Sequence, residues 1–269
     1  MVFILFFLFI IGLAIGSFLN VLIYRSIHDE SPVGGRSKCP YCHKQIAWYD
    51  NIPLLSFLIL RGKCRKCKKP ISWQYPVVEL ITGLLFVWWY LGGFFLWQVF
   101  QLQNFPLVVI QPIFWLLVGI LLLVIFFTDL RYMIIPDYAV GSLFGLALLY
   151  RITLVLFESM QVKDFMLGLL GMVLAGTFFF CLWYFTKGKG MGFGDVKFSL
   201  PMALLVGWPN IFVTVMLSFV LGAIVAVIFL SFGKKTLKQT IPFGPFLVIS
   251  TFISLVYGDV LLQWYLALL

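Results

Sequence analysis

Residues 2–24 read VFILFFLFIIGLAIGSFLNVLIY, an uncharged run that ends at Arg25. It is long enough to cross the roughly 30 Å hydrocarbon core of a bilayer as a helix. No basic residue precedes it and Arg25 follows it, the reverse of the charge order of a secretory signal peptide, so the run reads as a retained anchor. The rest of the chain has the same character. A mean hydropathy of +1.07 with 11% charged residues among 269 lies outside the range of soluble domains. The fold class is an all-α polytopic membrane protein. Further spans are expected near 76–98, 106–127, 138–158, 165–186, 196–207, 210–231 and 244–265, about eight helices in all. The span over 196–207 is short, because Trp208-Pro209-Asn210 reads as a tight turn, and seven crossings are the alternative.

The net charge of +9 is topological rather than a sign of nucleic-acid binding. Ten basic residues lie between Arg25 and Lys69. Arg131, Lys187, Lys189, Lys197, Lys234, Lys235 and Lys238 fall on the same side of an eight-span arrangement, and only Arg151 and Lys163 fall on the other. The positive-inside rule then puts the large loop in the cytoplasm and both termini outside. The chain divides into a first transmembrane helix (1–24), a cytoplasmic four-cysteine loop (25–75) and a transmembrane bundle (76–269).

The loop carries Cys39-Pro-Tyr-Cys42 and Cys64-Arg-Lys-Cys67, separated by 21 residues. Two CxxC turns at this spacing suit a structural four-thiolate zinc site, giving a small zinc-ribbon-like domain. A reducing cytoplasm disfavours disulfides, and about fifty residues bury too little core to fold without help, so zinc is preferred over redox chemistry or unlinked thiols. His43 reads as a solvated loop residue and Cys181, among Phe178, Phe179, Phe180 and Trp183, as a small buried hydrophobe.

Acidic residues are scarce enough to be informative beside lipid. Asp129 closes the third span and Asp195 opens the sixth; two crossings separate them, so both return to one membrane boundary. Two such carboxylates can hold an acid and a base around one water, as in an aspartyl protease. Structural roles compete: Asp129 ending a helix beside Arg131, Asp195 as a helix cap. Gly190, Gly192 and Gly194 before Asp195 would permit unusual backbone angles and the close approach of a substrate strand. Asp137 after Ile135-Pro136 occupies an expected N-cap position. A cation transporter using Asp129 and Asp195, with the zinc loop as regulator, is the alternative, though it would normally need ionisable groups near the bilayer midplane.

Taken in order, these segments resemble the bacterial type IV prepilin peptidases, leader peptidases of the GxGD aspartyl protease group. The resemblance runs through Gly16-Ser17-Phe18-Leu19-Asn20-Val21, the CxxC pairs, Asp50-Asn51-Ile52-Pro53-Leu54-Leu55-Ser56 and Arg61-Gly62-Lys63-Cys64. It continues through Glu79-Leu80, Thr128-Asp129-Leu130, Ile135-Pro136-Asp137, Gly192-Phe193-Gly194-Asp195 and Pro242-Phe243-Gly244-Pro245-Phe246. It implies that Asp129 and Asp195 are catalytic, supported by Gly192 and Gly194. It implies that precursors of type IV pilins or pseudopilins are cut after a glycine ending a short basic leader, in the bacterial inner membrane. Many such enzymes then methylate the new N-terminus from S-adenosylmethionine, and Gly62 and Glu79 are the methyl-transfer candidates. No GxGxxG follows a strand, so no Rossmann-type cofactor site is claimed. Asp29, Glu30, Asp50, anionic lipid or backbone contacts are the options for recognising a basic leader on a basic face.

Overall fold

The computed structural model describes residues 1–27, 34, 35, 37–100, 105–232 and 241–267. Asp29, Glu30, Lys234, Lys235 and Lys238 lie outside the described residues. The helices are α1 (Val2–Arg25), α2 (Leu55–Ile59), α3 (Gln74–Phe100), α4 (Phe105–Tyr132), α5 (Asp137–Leu156), α6 (Val162–Thr186), α7 (Phe193–Val206), α8 (Asn210–Ser231) and α9 (Gly244–Leu266). Seven of them are long and apolar enough to cross a membrane. The eighth expected span, α7, has 14 residues, or about 21 Å at 1.5 Å per residue. The chain falls into two compact units, Met1–Val124 and Ile125–Leu269.

In the first unit α1 packs on α3. In lipid, helices associate through close packing rather than apolar burial, and small residues permit it. A Cβ at Gly12 would lie 2.7 Å from the Gly83 Cα, and one at Gly16 2.7 Å from the Glu79 Cα. The two backbones thus meet at glycines. Between α1 and α3 the loop forms two similar knuckles. Cys39 N–H donates to the Lys44 carbonyl and His43 N–H returns to Cys39; Cys64 N–H donates to Lys69 and Lys68 N–H returns to Cys64. The positive φ of His43 (53°) and Lys68 (59°) makes both turns. Asp50, in a 3-10 turn over Trp48–Asn51, accepts a two-pronged contact from Arg65 of the second knuckle, with Nε and Nη2 at 2.9 and 2.7 Å.

In the second unit α7 runs through the middle, against α5, α6, α8 and α9. Phe198 and Met202 of α7, Phe179 of α6 and Leu247 of α9 are fully buried. Buried hydroxyls such as Ser199 and Thr251 donate to carbonyls of their own helices, so no water is needed to satisfy them. The far end of α7 is closed by Arg151 of α5, whose Nε and Nη2 donate to the Leu204 and Leu205 carbonyls at 2.8 and 3.3 Å. Arg151, read from sequence as a charge of the outer face, is a cap on a buried helix end. Gly207 there has φ +79°, and the expected turn follows before α8. Cys181 is half-buried rather than buried.

Candidate active site and metal centre

Four chain ends meet at the opposite end of the second unit: the last turn of α4 and the first turns of α5, α7 and α9. Asp129 is one turn from the end of α4 and 6% exposed. Its Oδ2 accepts the backbone N–H of Gly244 at 2.8 Å. Gly244 is the first residue of α9, so that N–H is one of the donors left without a partner inside its own helix. Asp195 is the third residue of α7, also 6% exposed, and its Oδ2 accepts the N–H of Gly192 at 3.1 Å. Each carboxylate therefore sits at a helix N-terminus, where free N–H groups and the helix dipole favour negative charge. Both lie at this one end of the second unit, although 66 residues of sequence separate them.

The competing structural roles are partly present, since Asp195 completes a capping box at the start of α7 from the third helical position. Gly192, not Asp195, is the N-cap of α7, and the Asp195 carboxylate reaches back to it. Asp137 does not cap α5; Pro136 holds the cap position and Asp137 is the first helical residue. A carboxylate at that point is drawn instead to Lys197 of α7, whose Nζ lies 2.7 Å away and 5.4 Å from the Phe193 ring centre. Gly190, Gly192 and Gly194 do not have positive φ. Gly194 provides close approach of a different kind: a Cβ there would lie 3.0 Å from Ile135, so its absence lets α7 dock on the segment joining α4 to α5. Sequence reasoning gave Gly244 no role of its own. Of the glycines at this site it has the least room, since a Cβ would lie 2.7 Å from Asp129 Oδ2.

The four loop cysteines converge: their sulfurs all lie within 4.8 Å of one another, and Cys39 and Cys67 are 3.8 Å apart. Tetrahedral zinc with bonds of about 2.3 Å requires sulfurs about 3.8 Å apart, so the donor set fits that ion. The Cys67 backbone N–H lowers the Cys64 thiol to about 7, towards the thiolate that a metal needs. His43 is exposed and outside the cluster. Gly62 has φ +67° and donates to the Phe57 carbonyl, which is the work of a turn glycine closing α2. Glu79 is buried in α3 and has no loop lysine as partner among the described contacts; its Oε2 accepts the Leu54 N–H at 2.9 Å and the Ser17 hydroxyl bonds to it. Ser17 also lines a cavity of about 310 Å³ with Arg25 and Asn51. Asp50, one of the options for leader recognition, is engaged by Arg65.

Residues 10–92 match the Bacterial Peptidase A24 N-terminal domain and residues 116–227 the Type IV leader peptidase family. The chain is 35% identical to the prepilin leader peptidase/N-methyltransferase of Stutzerimonas stutzeri, over 96% of this chain and 92% of the relative. It is 33% identical to the protein of that name from Aeromonas hydrophila over the same shares, and 32% identical to that of Legionella pneumophila over 95% and 92%. No solved structure matches. The transporter alternative finds no support here: both aspartates sit at helix ends, and none of these relatives is a transporter.

Proposed function

The chain belongs to the type IV leader peptidase family, and from that membership we propose that Asp129 and Asp195 are the catalytic pair of an aspartyl endopeptidase that removes the leaders of type IV prepilins or pseudopilins. The enzyme is a multi-pass protein of the bacterial inner membrane. The 17 to 2 bias of its basic residues in the eight-span arrangement supports a cytoplasmic side for the cysteine loop and the dyad.

The observation that carries this assignment is the matched seating of two buried carboxylates, each with one oxygen held by a helix N-terminal N–H. In the aspartyl mechanism the two carboxyls hold one proton between them, one acting as acid and the other as base. The ionised member removes a proton from water, whose oxygen attacks the scissile carbonyl carbon, while the protonated member donates to the carbonyl oxygen. Collapse of the tetrahedral intermediate breaks the C–N bond, and a carboxyl returns the proton to the leaving amine. Fixing one oxygen of each carboxylate leaves the other directed to this work without a reorganisation cost.

The new amine is the acceptor for methyl transfer. The cavity lined by Ser17, Arg25 and Asn51 is the candidate place for S-adenosylmethionine: Arg25 would take its carboxylate, and Glu79, behind that wall through its bond to Ser17, would orient the Ser17 hydroxyl. The donor supplies the methyl group; the residues orient the two partners. Gly62 contributes by shaping the turn, and zinc by folding the loop around it.

The test is mass spectrometry of a prepilin co-expressed with the wild-type protein or with Asp195→Asn. Leader loss with wild type alone supports the peptidase, and one added methyl on the new N-terminus supports the transferase. An intact precursor in both samples, with the protein shown to be folded, overturns the assignment.

A further inference from the structure

The two spanning helices at the start of the chain, α1 and α3, are in matched register, and that register sets depth. Asn20 donates to the Tyr75 carbonyl at 3.1 Å, and a Cβ at Gly16 would lie 2.7 Å from the Glu79 Cα, so Asn20 is level with Tyr75 and Gly16 with Glu79. Arg25 is the first charge along α1, and Gly16 is nine residues before it, about 14 Å at 1.5 Å per residue. Glu79 therefore stands well inside the span. Its Oε2 accepts the N–H of Leu54, a residue of the loop, at 2.9 Å. Leu54 turns the chain there with φ +59°, and the Leu55 N–H donates to the Pro53 carbonyl, a γ-turn of the rarer positive-φ kind. Each backbone donor from Pro53 to Ser56 is accounted for: Pro53 has none, Leu54 uses Glu79, Leu55 uses Pro53 and the Ser56 N–H reaches Ile52. A bilayer tolerates irregular backbone only when its polar groups are met within the protein in this way.

From Leu54 the chain rises through α2 until the Phe57 ring packs on Trp73, with centroids 5.0 Å apart. α2 thus occupies the depth between Glu79 and Trp73, six residues or about 9 Å of α3. Its other side carries Leu55, Leu58 and Ile59, at helical spacing and 56%, 69% and 72% exposed. Trp73 leads, in steps of four and three, into Val77, Leu80 and Leu84, the exposed face that α3 turns to lipid. We propose that residues 52–60 are a re-entrant segment, with Leu55, Leu58 and Ile59 seated between the headgroups and acyl chains of the bilayer that α1 and α3 span. The occupant of this face is lipid, because its depth lies inside Arg25 and the lipid-facing stripe of α3 begins at the residue on which α2 packs. Arg61 and Lys63, exposed just beyond α2, meet anionic headgroups where the chain leaves the boundary. Asn51 and Pro53, which line the cavity beside Ser17, belong to the same turn, so seating α2 in lipid also fixes one wall of that cavity. This arrangement requires only that α1 and α3 span a bilayer and is independent of the peptidase assignment.

A small fluorescent amino acid in place of Leu58 tests it in the full chain, in vesicles of phosphatidylethanolamine and phosphatidylglycerol. Two quenchers compete for the probe: a nitroxide near the headgroup end of a lipid acyl chain, and acrylamide in the water. The same probe in place of Leu84 is the lipid-facing reference, and in place of Lys44, exposed in the first knuckle, the water-facing one. We expect the ratio of nitroxide to acrylamide quenching at Leu58 to lie on the order of tenfold above that at Lys44 and close to that at Leu84. A ratio like that of Lys44 overturns the re-entrant segment, because α2 then faces water. Shielding from both quenchers overturns it as well, because another protein surface, a second copy of this chain included, then covers the face. Should the Leu58 variant fail to fold, the probe in place of Ile59 reads the same face.

Discussion

Replacing Gly244 by alanine adds one methyl group at the most constrained point of the site. The new Cβ would stand 2.7 Å from Asp129 Oδ2, 2.9 Å from Cγ and 3.1 Å from Cβ, so the closest pair falls about 0.7 Å short of ordinary van der Waals contact. The start of α9 is poorly placed to retreat, because Gly244, Pro245 and Leu247 are buried. Asp129 must therefore move, by rotating its carboxyl away from the Gly244 N–H. Losing that charge-assisted hydrogen bond costs about 1.5–3 kcal/mol, and displacing a catalytic group by about an ångström lowers turnover on the order of 10²-fold. The expected outcome for Gly244→Ala is a kcat about 100-fold down with KM changed less than about threefold. Steady-state cleavage of a purified precursor in detergent measures both, with thermal unfolding as the check on folding. Gly168→Ala, whose Cβ meets nothing, is the matched control. A Gly244→Ala enzyme that folds and turns over at the wild-type rate would refute the assignment of Asp129 and the argument from its seat.

Asp129→Asn and Asp195→Asn should each lower cleavage by at least about 10³-fold, with expression and zinc content unchanged, because neither amide can exchange the proton that the chemistry needs. Cys39→Ser or Cys64→Ser should release zinc, measured by elemental analysis, and reduce methylation more than cleavage; a chelator should do the same to the wild-type protein. Arg151→Ala should lower stability by about 1–3 kcal/mol, since it removes the donors to the Leu204 and Leu205 carbonyls at the end of α7. Arg151→Lys should recover part of this loss in thermal unfolding.

Much of this architecture is written in local signals. Lipid-spanning helices show as long apolar runs, and a helix stands at each expected span, although only seven of the eight are long enough to count as crossings and α7 is not. The cluster of Cys39, Cys42, Cys64 and Cys67 shows because a shared ligand set constrains spacing, and Asp129 and Asp195 show because charges beside lipid are rare. What stayed hidden depends on partners distant in sequence. Gly244 acts on Asp129 through a backbone N–H that leaves no mark in side-chain chemistry, across 115 residues. Asp137 has the surroundings of an N-cap, and only tertiary packing shows that Lys197, 60 residues on, claims it. Arg151 looked like a surface charge because a sequence does not say that the end of α7 needs donors.

The contact between Gly244 and Asp129 also sets a time at which the enzyme comes into being. Asp129 and Asp195 are both synthesised before the helix that seats Asp129 begins. At about 5–20 residues per second, the 115 residues from Asp129 to Gly244 take on the order of 6–23 s to emerge. During that interval a growing chain holds both acids but lacks the donor that fixes one of them. Insertion of the last helix seats Asp129, so under the proposed assignment a chain stalled before Gly244 holds both acids with one of them unfixed.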